Sequence, residues 1–230
     1  MNIAIIPARG GSKRIPRKNI KNFCGAPIID WVIKAALASK YIDLVIVSTD
    51  DNEIANIAIE SGAQVPFMRP SYLADDHTVL NKVIIHALNE VSRNYNDINY
   101  VCSILPTASL IRPNDIDEAF EMLGASKRHD FILSVTGYSF PIQRAIKINE
   151  ENEISMFQPE HLDTRSQDLD KAWHDAGQFY WGKASAWVEE RNIFSSKTLP
   201  YKLPGYRVQD IDTMEDWYRA ELIFKILRET

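Results

Sequence analysis

The sequence predicts a three-layer α/β/α fold, a mostly parallel sheet with helices on both faces. Three observations predict it. Short apolar runs alternate with segments of helical periodicity through roughly the first 135 residues. The first apolar run feeds a glycine-rich, strongly basic loop, the way α/β folds open a ligand site. After about Pro141 the rhythm changes to a β-rich excursion and then returns to an aromatic strand and a final helix.

Residues 3–6 are the first strand. Pro27 stands in the first turn of a helix in which Ile28, Val32, Ala36 and Ile29, Ile33, Leu37 recur four apart. Residues 44–47 are the second strand, stopped by Ser48-Thr49-Asp50-Asp51; Asp50 or Asp51 caps a helix over 54–61, and Gly62 ends it. Residues 64–68 read as a third strand, 79–91 as a helix, 100–105 as a strand, 115–123 as a helix and 131–135 as a strand. Residues 145–148 and 154–157 flank Asn149-Glu150-Glu151-Asn152-Glu153 and read as a hairpin. An irregular stretch leads to the aromatic strand 178–181 and a short helix over 184–190. The last helix starts at Met214, with Trp217, Ala220, Phe224 and Leu227 on one face and Thr213 and Asp216 as a capping box. Residues 1–230 read as one domain, with 138–175 an insertion that closes the site or pairs with another subunit.

At 230 residues and 45% hydrophobic, the chain can bury one sizeable core. It has no 18-residue apolar run and no cationic leader ahead of an apolar stretch, so neither a spanning helix nor a secretory signal is expected. Cys24 and Cys102 form no C-x-x-C and read as reduced thiols, which fits a cytoplasmic protein. A net charge of −5 argues against general nucleic-acid binding. The His residues show no metal-ligand spacing, and no acyl-transfer arrangement is present.

Against that acidic background Arg9, Lys13, Arg14, Arg17, Lys18 and Lys21 fall between Pro7 and Asn22 with no acidic residue among them. Gly10 and Gly11 permit a tight turn and bare N–H groups. The spacing is neither a Walker A loop nor G-x-G-x-x-G. A solvated basic loop is one reading; a phosphate cradle at the end of a buried strand is the other, and the charge density suits a polyphosphate. Asp210-Ile211-Asp212 is the second informative site. In an extended segment its two carboxylates share a face, about 6.6 Å apart at the backbone, and can converge on one Mg²⁺. Helix capping is the plain alternative.

Ala4-Ile5-Ile6-Pro7-Ala8-Arg9, Ser12-Lys13, Pro16 and Lys18-Asn19 together resemble the opening of the CMP-sugar synthetases, cytidylyltransferases that activate nonulosonic (sialic-type) acids. Val208-Gln209-Asp210-Ile211-Asp212-Thr213 resembles their Mg²⁺-binding segment, and Arg69-Pro70, Leu73, Asp75-Asp76 and Thr78 resemble a stretch beside the nucleotide, with capping of the following helix as the plain alternative for Asp75, Asp76 and Thr78. The resemblance implies the nucleotide-diphospho-sugar transferase version of the Rossmann-like fold, with CTP and a nonulosonic acid as substrates and Mg²⁺ as cofactor. It implies a homodimer whose insertion reaches the sugar pocket. It places Ala8, Arg9, Gly10, Gly11, Ser12, Lys13, Lys18, Asn19, Arg69 and Thr78 at the nucleotide, and Asp210 and Asp212 on the metal. Arg9, Lys18, Asp210 and Asp212 become the catalytic set. Leu105, Thr107, Arg165, His174, Gln178 and Tyr180 fall to the sugar.

Leu105 stands where sialate enzymes carry a glutamine, and His174 and Ala176 stand where they carry Arg and Asn. Asp175-Ala176-Gly177-Gln178-Phe179-Tyr180-Trp181 is similar to the pseudaminic acid branch. The implied reaction is therefore CMP transfer from CTP to pseudaminic acid with release of pyrophosphate. N-acetylneuraminate as the acceptor is the alternative, and a non-catalytic nucleotide-binding module is the alternative of a different class.

Overall fold

The structure, a computed structural model, describes residues 1–229. Strand β1 (Asn2–Pro7) leads through the basic loop to a two-stranded ribbon, β2 (Asn22–Phe23) with β3 (Ala26–Pro27), and to helix α1 (Ile28–Leu37). Next come β4 (Leu44–Ser48), α2 (Asn52–Glu60), α3 (Leu80–Val91), β5 (Tyr100–Ile104), α4 (Pro113–Gly124) and β6 (Phe131–Gly137). A hairpin of β7 (Ile146–Ile148) and β8 (Ile154–Met156) precedes β9 (Trp173–Lys183), α5 (Ala184–Val188), β10 (Thr198–Lys202) and α6 (Met214–Glu229).

Six strands form one sheet in the order β10-β6-β9-β5-β1-β4. The β1–β4, β1–β5 and β6–β10 pairs are parallel, and β9 runs antiparallel to both neighbours. Alternation along β1 shows how the sheet is sandwiched. Ala4 and Ile6 pack with α1, α2 and α4; Ile3 and Ile5 pack with α3 and α5. Three tryptophans, Trp181, Trp187 and Trp217, are fully buried. Gly182 is required where β9 passes under two rings, since a Cβ there would lie 2.4 Å from Phe131 and 2.6 Å from Trp187.

A third cluster matters most for the site. Ile15 of the basic loop, Ile211 of the acidic segment and Trp217, Ala220 and Phe224 of α6 share a satellite core with Phe23 and Ile28. Phe23 meets Trp217 and Phe224 edge-on, at centroid separations of 5.4 and 5.2 Å. Burying each large side chain contributes about 1.5–3 kcal/mol. The basic loop and the acidic segment are therefore anchored to one plug of apolar side chains.

The mostly parallel α/β/α sheet expected from the sequence is present. One strand expectation fails, and one strand was missed. Residues 64–68 make only a single bridge, Gln64 to Ile46, because Pro66 and Pro70 cannot donate to a ladder. Thr198–Lys202 was not anticipated as a strand; its proline is tolerated because β10 is a sheet edge. The hairpin is present as expected, and residues 138–172 lie outside the sheet between β6 and β9. That excursion exposes Phe140, Ile148, Ile154, Phe157 and Leu162. No helix among the described residues is long and apolar enough to cross a membrane.

Candidate active site

Strands β4 and β5 flank β1 on opposite sides, so the connections reverse direction at β1 and a crevice opens there beyond the strand ends. A cavity of about 330 Å³ occupies it. Its wall includes Arg9, Ser12, Lys13, Arg14, Lys18 and Asn19 of the basic loop, Arg69, Asp75, Asp76 and Thr78, Leu105 to Thr107 after β5, and Asp210.

The loop is held by polar ties to the neighbouring strand end. Ala8 N–H donates to Ser48 O at 2.9 Å, and the Asn19 amide donates to Arg9 O at 2.9 Å. Gly10 N–H donates to Asp50 Oδ1 at 3.0 Å, and a Cβ on Gly10 would sit 2.8 Å from Asp51 Oδ2. Glycine is needed there for close approach to acidic side chains, and its N–H is already used, which corrects the expectation that it faces a ligand. Gly11 has open space.

Arg17, at φ 55, pairs with Asp51 at 2.5 Å and with Glu53 at 2.5 Å. Asp51 is the N-cap of α2, accepting from Glu53 N and Ile54 N at 3.0 Å each. The Arg17 hydrogen bond, helped by those N–H groups and opposed by burial, brings the Asp51 carboxyl down to about 2. Arg17 is thus a brace between loop and helix.

Arg9, Lys13, Arg14 and Lys18 face the cavity, each beside a carboxylate, while Lys21 lies over the Trp217 ring. Arg9 lies 2.6 Å from Asp76, and Lys13 also pairs with Asp76. Arg14 lies 2.7 Å from Asp212; Lys18 lies 3.7 Å from Asp212 and donates to Ile211 O at 2.5 Å. Burial lowers the Lys18 ammonium below the ordinary lysine range, with Asp212 and Asp210 opposing. Desolvation first, then the like charge of Asp212, raises the Asp210 carboxyl.

Arg69 differs from all of these. It is 6% exposed and pairs with no carboxylate within ion-pair distance among the described residues. Its Nε donates to Ser48 Oγ at 3.1 Å, and it also donates to Ser48 O. Burial lowers it to about 10, against the pull of Asp50. A desolvated guanidinium without a counterion is costly unless an anion or a strong acceptor completes it.

The structure gathers Arg9, Ser12, Lys13, Lys18, Asn19, Arg69, Thr78, Leu105, Thr107 and Asp210 on one cavity. Asp212 stands behind Arg14 and Lys18; Ala8 is buried in the core. Four residues expected at the sugar do not line the cavity. Gln178 is buried and donates to Arg207 O at 2.7 Å, bracing the turn before Asp210. Arg165 is on the surface, 2.8 Å from Asp168. His174 bonds Asp175 O at 2.8 Å and packs against the Tyr138 ring at a tilt of 59°. Tyr180 donates to Asp175, whose Oδ1 also accepts Gly177 N–H at 2.8 Å. Burial, then Asp175, raise the Tyr180 hydroxyl far above its ordinary range. Ala176 points into the core, so an asparagine's role at that place is not available to it.

Sequence reasoning left Arg14 and Asp76 off the site. Arg14 was visible as one of the six loop cations. Asp76 read as a helix cap, but the cap-like turn belongs to Asp75, which accepts Thr78 N–H at 2.6 Å and Thr78 Oγ1–H at 2.7 Å. Asp210 and Asp212 form a pair rather than a cluster; no group of three or more His, Cys, Asp or Glu suited to a metal occurs among the described residues. Two hard carboxylate ligands beside a polyphosphate cradle fit Mg²⁺, which keeps water and phosphate oxygens for its remaining positions.

A model of the Cytidylyltransferase family matches residues 3–226. The chain belongs to this family. Among its relatives, the pseudaminic acid cytidylyltransferase of Campylobacter jejuni is 42% identical over all of this chain and 98% of its own length. An N-acylneuraminate cytidylyltransferase of Danio rerio is 34% identical over 95% of this chain and 49% of its own. A solved CMP:2-keto-3-deoxy-manno-octonic acid synthetase superposes with a TM-score of 0.72 at 16% identity, covering 100% of this chain and 99% of its own. The cytidylyltransferase fold is thus shared well beyond sequence similarity, and the cavity at β1 lies at the switch point where such folds bind their ligands.

Proposed function

We propose that this cytidylyltransferase transfers CMP from CTP to pseudaminic acid, releasing pyrophosphate, with Mg²⁺ held by Asp210 and Asp212. The observation that carries the nucleotide half is Arg69, a buried guanidinium without a counterion opening on a cavity that four further cations line. The acceptor rests on the full-length likeness to pseudaminic acid cytidylyltransferases and on Leu105, an apolar wall residue with no amide to offer a sialate.

Arg9, Lys13, Arg14 and Lys18 exchange their carboxylate partners for triphosphate oxygens, and Ser12 adds a hydroxyl donor. The acceptor's anomeric hydroxyl attacks the α-phosphorus and gives up its proton to solvent. The new C–O–P bond forms as the bond to the bridging oxygen of the β-phosphate breaks. Positioning and charge neutralisation supply the catalysis. Mg²⁺ bound at the acidic pair would neutralise charge on the triphosphate and the leaving pyrophosphate. The excursion 138–172 pairs through its exposed apolar side chains with a second copy of the chain, making a homodimer that completes the sugar side. Cys24 and Cys102, both free thiols, suit a cytoplasmic enzyme.

The test is pyrophosphate release with each of the four nucleoside triphosphates against a panel of nonulosonic acids. CTP with pseudaminate is expected to give the highest kcat/KM. Equal or better kcat/KM with N-acetylneuraminate would overturn the acceptor assignment.

A further inference from the structure

Arg207 and Asp115 form an ion pair at 2.6 Å. Among the ion pairs of the described residues it is the one in which both side chains are under a tenth exposed, at 7 and 8%. The pair joins two segments that belong to the active-site cavity. Asp115 stands in the first turn of α4, which opens just beyond the wall residues Leu105, Pro106 and Thr107, and its Oδ2 accepts the Arg112 N–H at 3.0 Å. Arg207 ends the turn Gly205–Arg207, a few residues ahead of Asp210. A parallel tie runs through β9. The Leu105 N–H donates to Gln178 O at 2.9 Å, and the Gln178 side-chain amide donates to Arg207 O at 2.7 Å. The Arg207 side chain is thus bonded to the helix that follows the wall, and its carbonyl to the residue that holds the start of the wall.

Stability does not explain the arrangement. Burying two opposite charges is costly, and apolar side chains of similar volume are often as stable in their place. Arg207 Nε and Gln178 Oε1 are buried with no hydrogen-bond partner among the described residues, so the network is not fully satisfied either. What a charge-assisted bond adds over an apolar contact is a fixed distance and direction. The backbone on either side uses that precision. Leu203 N–H donates to Val135 O at 2.8 Å and the Thr136 hydroxyl donates to Leu203 O at 3.1 Å, which fastens the approach to β6. Beyond the turn, Ile211 is plugged into the α6 cluster. Asp210 therefore enters the cavity between two anchored points.

We propose that Arg207 is a positioning residue for the reaction: with Asp115 and Gln178 it sets the acidic segment 210–212 against the wall at Leu105–Thr107. Arg207 does not line the cavity and acts through the backbone it holds. This role rests on the assignment of Asp210 and Asp212 to Mg²⁺, and it treats Arg207 as part of the support behind those ligands.

The test combines Arg207→Met with Asp115→Leu in the full chain, which removes both charges at similar volume. Melting temperature, steady-state constants and Mn²⁺ binding are measured, the last by electron paramagnetic resonance with one equivalent of CTP and no acceptor. The double variant is expected to melt close to the parent and to keep its KM for CTP within about twofold. Its kcat should fall at least about tenfold, and Mn²⁺ should be held at least about fivefold more weakly. Gln178→Met removes only the amide tie; it should show the same split at about threefold, and it carries the test if the double variant does not fold. Asp210→Asn separates the two assignments. If it loses Mn²⁺ while the folded variants keep the parent's affinity and kcat, the positioning role falls and the metal assignment stands. A loss of activity that merely tracks a loss of melting temperature also overturns the positioning role. If Asp210→Asn binds Mn²⁺ as the parent does, the metal assignment falls and takes the positioning role with it.

Discussion

Residues 7–21 and residues 138–172 are both long excursions from the sheet, held in opposite ways. The first is tied at many points. Asn19 grips the Arg9 carbonyl, Gly10 binds Asp50, Arg17 bridges to Asp51 and Glu53, and Ile15 is plugged into the α6 cluster. The second hangs from a three-pair ladder and a few isolated bonds, such as Tyr138 N–H to Ala172 O at 3.1 Å and the Gln143 amide to Asp170 O at 3.0 Å. Its large apolar side chains meet solvent. A region that must bind a polyanion needs its donors positioned in advance, because reorganising charges during reaction is costly. A region that buries its apolar face only against another surface can be left open until that surface arrives.

The strongest way to break this comparison is at the acidic pair that the fixed region faces. Asp210→Asn and Asp212→Asn are each expected to lower kcat at least about 100-fold, because each removes a hard anionic ligand of the proposed Mg²⁺, and that cation would contribute several kcal/mol by neutralising transition-state charge. Mn²⁺ should restore part of the activity, and folding should stay near normal. Full turnover in EDTA, or a double variant as active as the parent, would reduce the pair to helix capping.

Lys18→Ala follows. Loss of one charge-assisted contact in a partly dry site costs about 1.5–3 kcal/mol, on the order of 10- to 100-fold in kcat/KM for CTP. Its neighbour sharpens the test. Arg17→Ala should cost about 1 kcal/mol or less, since its side chain is 39% exposed, and should appear in the melting temperature rather than in KM. Equal kinetic effects of the two variants would erase the distinction between brace and ligand.

The arm should respond in the opposite sense. Ile148→Lys with Ile154→Lys is expected to leave the stability of one chain within about 0.5 kcal/mol, because both side chains are exposed. The same change should shift the mass measured by light scattering from dimer to monomer and leave CTP affinity intact. A parent protein that is monomeric at every concentration would remove the arm's proposed role.

The smallest effect concerns Asp51. Its folded carboxyl is depressed to about 2, so it stabilises the fold above the ordinary carboxylate value, and that contribution disappears as the pH falls from about 4 through about 2. Asp51→Asn should remove that acid limb, worth on the order of 1 kcal/mol once partial solvent exposure is discounted. An unchanged acid-unfolding profile would show that Arg17 holds the loop without it.

Much of this was legible in the sequence, for definite reasons. Strands β1, β4, β5 and β6 are short apolar runs with clear stops, and α1, α3 and α6 carry long periodic faces, so local pattern and tertiary role agree. The six-cation loop stood out because its charge contrasts with an acidic chain. What failed was orientation. Gln178, buried against Arg207, and Ala176, turned into the core, lie on a strand whose alternation is broken where Gly177 takes φ 60. Period-two reasoning cannot see such a break in advance. Asp76 was misread because an acidic residue ahead of a helix looks like a cap until its distant partners are known.

Asp76 also makes the resting pocket a threshold device. It holds Arg9 and Lys13 together, while Asp212 holds Arg14 and neighbours Lys18, so the cations are satisfied before any substrate arrives. A small anion carrying one or two charges replaces only part of what these carboxylates already provide. A triphosphate reaches both clusters at once and gains from their simultaneous engagement. Inorganic phosphate and sulfate should therefore be poor competitors against CTP at millimolar concentration, and Asp76→Asn should make them effective ones. Charge count, read by two clusters in concert, would then exclude the cell's abundant simple anions from the site.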